Sequence, residues 1–260
     1  PTVVAGVPPD YFSETGQRWG NPHYNWAAMQ ADGFAWWRAR LTAHFEWFDL
    51  VRIDHFRGLA AAWEVPAAEP TAIHGTWVEA PGAALLQAIA DEMGNLPLVA
   101  EDLGIITPDV TALRHQFGLP GMAVLQFAFD HHADNPHKPE NVMPDTVYYT
   151  GTHDNDTTLG WWSALPDAAR KQVMLQLGVT DPDSVPDAMI DIVLSSRAAL
   201  AILPMQDVLH LGSEARMNTP GTDNGNWTWR FEWAAMPPDL ASRLLQKNLI
   251  SHRCETQILP

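Results

Sequence analysis

Three acidic residues lie at the ends of segments that are predicted as strands, a pattern that suits a carboxylate-based active site. They are Asp54 in VRIDHF, Glu101 in VAEDLG and Asp154 in GTHDND. In a barrel of parallel strands the carboxyl ends of all strands meet at one mouth, so acids about 50 residues apart can converge there. Two such carboxyl groups can cleave a glycosidic bond, because one attacks the sugar while the other protonates the leaving oxygen.

Other roles are open for these polar residues. An acid at a strand end is as often the N-cap of the next helix. A metal site is a second alternative, but the densest histidine group, His131, His132 and His137, has no familiar ligand spacing. A serine hydrolase is a weaker alternative, because no G-x-S-x-G turn is present. Asp102 follows Glu101 and is interpreted as structural, since neighbours on a strand point to opposite faces.

The elements that must position the acids alternate between buried strands and helices. Apolar runs predict strands within 49–54, 96–102, 122–129, 146–154 and 199–209. Helices are predicted over 34–48, 81–94, 107–118, 166–178, 184–199 and 237–248. Residues 6–22 and 216–230 are predicted as loops, because Gly, Pro and Asn punctuate them.

This alternation predicts an α/β fold with a parallel sheet, which is either a (β/α)8 TIM barrel or a doubly wound open sheet. A doubly wound nucleotide-binding fold would carry a glycine-rich first turn. Neither G-x-G-x-x-G nor G-x-x-x-x-G-K-[ST] occurs in the sequence, so the barrel is favoured.

Composition restricts the partners. The formal net charge of −16 disfavours nucleic acid and anionic membrane surfaces, since both require a basic face. Twelve tryptophans, against nine phenylalanines and four tyrosines, suit the flat faces of sugar rings. Cys254 is the single cysteine and cannot form an internal disulfide. The sequence shows no membrane-spanning run and no secretory signal pattern, so a cytoplasmic location is expected.

Five motifs together resemble those of the 4-α-glucanotransferases, the amylomaltase or disproportionating-enzyme family of glycoside hydrolase family 77 in the α-amylase clan. They are GVPPDYFSETGQRWGNP, VRIDHFRGL, AEDLG, GTHDNDTTLGWW and RMNTPGTDNGNWTWR, in family order. The resemblance implies transfer of α-1,4-glucan segments between maltooligosaccharides by a retaining double displacement. It implies that neither a cofactor nor a metal is needed, and that the partners are α-1,4-glucans and maltooligosaccharides rather than nucleic acid or membrane.

The resemblance also implies a role for each matching residue. Asp54 matches the nucleophile on the family's fourth strand, Glu101 the acid/base on the fifth, and Asp154 the third carboxylate on the seventh. The substrate-binding matches are Arg52, His153, Trp19, Gln17 and Asp10. Residues 6–19 match a loop that arches over the cleft, where Trp19 either stacks on the acceptor glucan or anchors the loop.

The number of residues before Asp54 departs from the family pattern. Three βα units should precede a fourth strand, and each strand–helix–strand unit takes about 30 residues or more. We therefore expect residues 1–260 to be a single catalytic barrel domain that lacks about its first three strands, the C-terminal part of the family's catalytic domain. The alternatives to a transferase are an α-1,4-glucan hydrolase of the same chemistry and a non-catalytic glucan-binding fragment.

Overall fold

The computed structural model describes residues 1–10 and 13–254. The chain divides into two compact units, Pro1–Met122 and Ala123–Pro260. Tyr11 and Phe12, which belong to the predicted loop over 6–22, and the final segment 255–260 lie outside the described residues.

The first unit combines antiparallel and parallel strands with helices. Its elements are β1 (Val3–Val7), β2 (Gln17–Arg18), α1 (Trp26–Ala31), α2 (Ala35–Phe45), β3 (Val51–Ile53), β4 (Ala61–Pro66), β5 (Thr76–Glu79), α3 (Gly82–Met93), β6 (Leu98–Ala100) and α4 (Pro108–Gln116). A short 3₁₀ helix, Phe56–Leu59, follows β3. The sheets are β2-β1-β4-β5, which is antiparallel, and β3-β6, which is parallel.

The antiparallel sheet corrects two predictions. Residues 6–22 are not a simple loop. The segment contains β2 and the end of β1, and these two strands pair with Val7 opposite Gln17. The expectation of a wholly parallel sheet is wrong, since β1 also pairs with β4 and β4 with β5 in antiparallel registers. Local periodicity misses these strands because β4 shows no regular alternation of burial and its partner β1 lies far away in sequence.

The core of the first unit packs α2, α3 and α4 against the 3₁₀ helix and β6. Buried residues of this core include Leu41, Phe56, Leu85, Leu98 and Val110. The predicted helix end at Gly94 is confirmed: Gly94 caps α3 with a φ of 82°, a backbone conformation that glycine adopts without steric cost.

The second unit contains helices packed with a three-stranded sheet of order β7-β8-β9, in which β8 and β9 are parallel. Its elements are β7 (Gly121–Val124, beginning at the unit boundary), β8 (Thr146–Tyr149), α5 (Thr158–Ala164), α6 (Asp167–Leu177), α7 (Val185–Ser195), β9 (Leu200–Ile202), α8 (Met205–Val208) and α9 (Leu240–Ile250). Short 3₁₀ helices occur at Leu125–Phe127, Pro182–Ser184, Ser213–Ala215 and Trp233–Ala235.

All five strands predicted from apolar runs are present, as β3, β6, β7, β8 and β9. The six predicted helices are also present, as α2, α3, α4, α6, α7 and α9. The sequence analysis did not predict α1, α5 and α8, which are short. The α/β class is therefore confirmed, while the sheets formed by the described residues are mixed and none closes into a barrel.

None of the helices in the described parts of the chain combines the length and apolar character that crossing a membrane requires.

Replacement of Leu85 tests the core of the first unit. Leu85 on α3 is 1% exposed, so Leu85→Ala leaves a cavity and should lower the free energy of unfolding by about 2–5 kcal/mol. Leu175→Ala on α6 is the matched control, because Leu175 is 74% exposed and its loss should change stability by less than about 0.5 kcal/mol. Urea unfolding followed by tryptophan fluorescence measures both. Equal effects of the two substitutions would contradict the described packing of α3.

Candidate active site

Asp54 and Glu101 directly follow two strands that pair with each other. Ile53 of β3 lies opposite Ala100 of β6 in a parallel register. The Glu101 amide donates a 2.9 Å hydrogen bond to the Ile53 carbonyl oxygen, which continues this pairing to the strand ends. Since parallel strands end at the same edge of a sheet, the structure brings these two predicted site residues to one edge.

Arg52 lies beside Asp54, as the two-residue spacing on a strand predicts. Its Nη2 donates to Asp54 Oδ1 at 2.8 Å. The Asp54 side chain is 79% exposed, and ion pairs in such exposed positions contribute about 1 kcal/mol or less to stability. The pair therefore matters for the orientation and charge of the Asp54 carboxylate rather than for folding.

The Glu101 carboxyl group is held by backbone amides. Oε2 accepts a 2.6 Å hydrogen bond from the His55 amide, and Oε1 accepts a 3.0 Å hydrogen bond from the Leu103 amide. Burial raises the pKa of Glu101, and the charge of Asp54 raises it further, while the two amides and Arg52 oppose the shift. A carboxyl group with a raised pKa is suited to donate a proton, while Asp54 beside Arg52 is suited to attack.

His55 is a site residue to which the sequence analysis assigned no role. Its backbone is left-handed, with a φ of 48°, and this conformation accompanies the amide hydrogen bond to Glu101. Burial lowers the pKa of His55 to about 4, with the charge of Arg57 acting in the same direction and that of Asp54 against it. The imidazole is therefore neutral at pH 7. The left-handed backbone of His55 has no signature in the sequence, because most histidines adopt other conformations and no neighbouring residue marks this one.

Trp19 and Gln17 are positioned by the β1–β2 pairing. The Trp19 amide donates to the Ala5 carbonyl at 3.0 Å, and its indole Nε1 donates to Gln17 Oε1 at 3.1 Å. The edge of the indole meets the His55 ring with centroids 4.7 Å apart. Gly6 permits the close approach of these strands, since a Cβ there would lie 2.4 Å from the Gln17 carbonyl oxygen. The exposed Trp19 is therefore held within contact of the Asp54 region.

Asp10 lies at the turn between β1 and β2. Its Oδ1 accepts a 2.9 Å hydrogen bond from the Ser13 amide, and its own amide donates to the Ser13 carbonyl at 3.0 Å. These hydrogen bonds join Asp10 to Ser13. The structure thus gives Asp10 a turn-forming role, and its predicted sugar contact stays a prediction.

An open cavity of about 480 Å³ adjoins this group of residues within the first unit. Its lining includes Asp54, His55 and four tryptophan side chains, Trp19, Trp26, Trp37 and Trp63. The cavity therefore combines a carboxylate with aromatic faces, which suits a ligand that has both hydroxyl groups and apolar ring faces.

Asp154 and His153 lie in the second unit, in the loop that follows β8. Asp154 Oδ1 accepts from Asn218 Nδ2 at 2.7 Å, and its backbone carbonyl accepts from Arg216 Nη2 at 2.7 Å. His153 Nε2 lies 3.4 Å from Asp154 Oδ2. Trp227 packs on the His153 ring with centroids 5.2 Å apart. These partners come from the 216–230 segment, which the sequence analysis correctly predicted to be without helix or strand.

The histidine group considered for a metal site has structural contacts. Desolvation lowers the pKa of the half-buried His137 to about 4, and its Nδ1 accepts a 3.3 Å hydrogen bond from the Val124 amide. The His131 and His132 rings stack with centroids 4.1 Å apart. Within residues 1–10 and 13–254, no cluster of three or more His, Cys, Asp or Glu side chains is arranged to hold a metal ion.

Asp102 has the structural contacts that the sequence analysis predicted. Its Oδ1 accepts a 2.7 Å hydrogen bond from the Met122 amide, and its Oδ2 lies 3.3 Å from Arg114 Nε. These contacts tie the end of β6 to α4 and the start of β7.

The family model of the 4-alpha-glucanotransferases, glycoside hydrolase family 77, matches residues 2–236. The chain belongs to this family. The 4-alpha-glucanotransferase of Thermus thermophilus is 55% identical over 251 residues, which cover 94% of this chain and 50% of the relative. That of Synechocystis sp. is 52% identical over 231 residues, covering 88% of this chain and 46% of the relative.

A solved structure, an amylomaltase from Streptococcus agalactiae in complex with acarbose, superposes with a TM-score of 0.92 at 33% identity. The match covers 98% of this chain and 52% of that one. The chain thus spans about half the length of these glucanotransferase relatives.

Asp207 is a buried carboxylate of this family member that the sequence analysis did not single out. It is 2% exposed and lies on α8. Thr150 Oγ1, at the end of β8, donates to its Oδ2 at 2.5 Å, and the Thr158 amide, at the start of α5, donates to its Oδ1 at 2.6 Å. The loop that carries His153 and Asp154 runs between these two threonines, so Asp207 fixes both ends of that loop.

Substitution of Asp207 tests this anchor. Asp207→Ala leaves two buried donors unpaired and should lower the free energy of unfolding by about 1–3 kcal/mol for each donor. Asp207→Asn should cost much less, because the amide oxygen can still accept from Thr158 and the amide nitrogen can donate to Thr150. Asp239→Ala, at a mostly exposed aspartate, is the control for loss of a carboxylate. Equal effects of Asp207→Ala and Asp239→Ala in urea unfolding would contradict the anchor.

The pH dependence of stability is an independent test of the burial of Asp207. Burial raises the pKa of Asp207 above its unfolded value, while its hydrogen bonds to the threonines and the charge of His210 oppose the shift. Its ionisation therefore costs folding free energy, and this component of stability is lost as pH rises through the folded-state pKa. The Asp207→Asn side chain cannot ionise, so the variant should not show this decrease in the free energy of unfolding as pH rises from about 4 to 8. Urea unfolding at each pH measures this free energy. Parallel pH profiles of the two proteins would contradict the assignment.

Proposed function

We propose that this chain carries the catalytic carboxylates of a 4-α-glucanotransferase that moves α-1,4-glucan segments between maltooligosaccharides. One observation carries the proposal. Asp54, an exposed carboxylate that pairs with Arg52, follows β3. Glu101, a carboxyl group with a raised pKa, follows the neighbouring parallel strand β6. The family membership supports α-1,4-glucans as the substrate class, and two carboxyl groups at neighbouring strand ends are consistent with the chemistry of a retaining glycosidase.

The mechanism is a double displacement. Glu101 donates its proton to the glycosidic oxygen while Asp54 attacks the anomeric carbon, so that the leaving glucan departs as an alcohol and a glucosyl ester forms on Asp54. Glu101, now ionised, removes the proton from the 4-hydroxyl of a second glucan, which attacks the ester and releases Asp54. Every step uses carboxyl and hydroxyl groups, and neither a metal nor a nucleotide takes part.

The remaining predicted residues bind and position the sugars. Asp154 and His153 would hold sugar hydroxyl groups, and Arg52 would orient the Asp54 carboxylate towards the anomeric carbon. Trp19, with Gln17 and Asp10 in the covering segment, would bind the acceptor glucan and exclude water. Transfer exceeds hydrolysis when an acceptor sugar displaces water from the glucosyl-enzyme.

We further propose that residues 1–260 form the C-terminal part of a single (β/α)8 barrel domain, with β3 and β6 as its fourth and fifth strands and β8 as its seventh. The twofold greater length of the relatives supports this assignment. The position of β9 at the edge of the sheet among the described strands supports it too, because a closed barrel would pair this strand on both edges. We retain the cytoplasm as the predicted location.

A chimera tests the proposed activity. It joins the N-terminal half of the Thermus thermophilus relative to this chain and should disproportionate maltotriose, whereas the 260-residue chain alone should transfer little. Asp54→Asn in the chimera should abolish the transfer, because an amide cannot form the glucosyl ester. Residual turnover within tenfold of the parent, about 1.4 kcal/mol of activation free energy, would show that Asp54 is not the nucleophile.

The products distinguish the alternatives. Accumulation of longer maltooligosaccharides from maltotriose supports the transferase, and accumulation of maltose and glucose without longer products supports a hydrolase. An inactive chimera that still binds maltooligosaccharides would support a glucan-binding module. Asp49→Asn is the matched control for Asp54→Asn, because Asp49 is exposed and precedes β3 at its opposite end.

The coupling of Asp54 to Glu101 can be measured without turnover. The negative charge of Asp54 raises the pKa of Glu101, so Asp54→Asn should lower it. Carbon-13 NMR titration of the carboxyl groups in the 260-residue chain measures this shift, and Asp49→Asn should leave the Glu101 titration unchanged. An unchanged Glu101 pKa in Asp54→Asn would contradict the proposed electrostatic coupling of the two groups.

A further inference from the structure

Four aromatic residues at every second position follow the loop that contacts Asp154. We name Trp227, Trp229, Phe231 and Trp233 the aromatic strip. The Trp229 and Phe231 ring centroids lie 6.1 Å apart, and those of Phe231 and Trp233 lie 5.2 Å apart. These two ring contacts join Trp229, Phe231 and Trp233, while Trp227 precedes them in a left-handed turn and Trp233 begins a 3₁₀ helix.

The two ends of the aromatic strip face solvent. Trp227 is 55% exposed and Trp233 is 78% exposed, while the two aromatic rings between them are partly buried. Large exposed aromatic groups that lie next to one another indicate a binding surface, whereas isolated exposed apolar residues are common.

Trp227 is held in a defined position. Its φ of 60° is a left-handed conformation that a bulky residue adopts at a cost in free energy. Its amide donates to the Met217 carbonyl at 2.8 Å, and Arg230 Nη1 donates to the Trp227 and Trp229 carbonyls at 3.2 Å and 2.7 Å. The backbone is therefore fixed so that the indole meets the His153 ring.

The chemistry of the surface favours a neutral carbohydrate. With a net charge of −16 the chain repels polyanions, and the flat faces of exposed indole rings suit neutral sugar rings. The aromatic strip begins at His153, which lies beside Asp154. A glucan bound at His153 and Asp154 could thus continue onto the aromatic strip.

We propose that the aromatic strip is a binding site for long α-1,4-glucan chains, an inference that rests on the proposed function for the identity of the sugar. It extends the sugar site at His153 and Asp154 and gives the protein a preference for long glucans over short maltooligosaccharides. Trp227 links the two sites, and Trp233 is the distal platform.

Affinity electrophoresis of the 260-residue chain in gels that contain amylose tests this proposal. Trp233→Ala should weaken retention by about fivefold to tenfold in apparent Kd, which is about 1–1.4 kcal/mol. Trp47→Ala is the matched control: Trp47 is 80% exposed and lies in the first unit, so its loss should leave retention unchanged. Trp227→Gly is a second variant, because glycine accepts the left-handed backbone while removing the ring.

The length of the glucan separates this proposal from the proposed function. By calorimetry, Trp233→Ala should weaken maltoheptaose binding and leave maltose binding unchanged. Asp54→Asn should abolish transfer by the chimera but leave amylose retention of the chain intact. Normal amylose retention by Trp233→Ala and Trp227→Gly would overturn the aromatic strip as a glucan site without affecting the proposed transferase.

Two further outcomes would also overturn the proposal. The first is a wild-type chain that amylose does not retain. The second is a dimer that analytical ultracentrifugation detects, that Trp233→Ala converts to a monomer and that amylose does not dissociate. The aromatic strip would then be a contact between two copies of this chain.

Discussion

The parallel pairing of β3 with β6 is the interaction on which the candidate active site depends. Its register places Ile53 opposite Ala100, so that the residues following both strands emerge at the same edge. A shift of one residue would turn Asp54 or Glu101 to the other face, because side chains alternate along a strand. The left-handed turn at His55 then aims its amide at Glu101. Backbone geometry therefore sets the chemistry of both carboxyl groups.

The two acids that follow these paired strands differ in exposure and in hydrogen-bond partners. Asp54 points into solvent beside Arg52, whereas the partly buried Glu101 accepts hydrogen bonds from the His55 and Leu103 amides. A carboxyl group in a drier environment retains its proton longer, which is the case for Glu101, while the exposed Asp54 has an arginine partner. In the second unit a buried carboxylate positions the loop that carries Asp154. Asp207 accepts hydrogen bonds from the end of β8 and from the start of α5, and so fixes both ends of this loop.

Much of the fold was predictable because its signals are local. The runs around Leu98 and Val147 are largely apolar, as strands of a buried parallel sheet require, and the run around Val51 is interrupted by Arg52. Gly94 marks a helix end. The antiparallel sheet was missed because β1 and β4 acquire their strand character by pairing with each other across a long separation in sequence. The short helix α5 was missed because its start depends on Thr157, whose hydroxyl accepts from the Gly160 amide.

By itself, the sequence determined the residue types and motif order that identify the family, the α/β class and the strand ends that carry Asp54 and Glu101. These depend on local patterns of apolar, acidic and glycine residues. The tertiary structure alone decided that His55 is a neutral, left-handed partner of Glu101, that Asp207 anchors a loop, and that the aromatic strip reaches His153. These features arise from burial and from contacts between distant segments, which no local pattern of residues records.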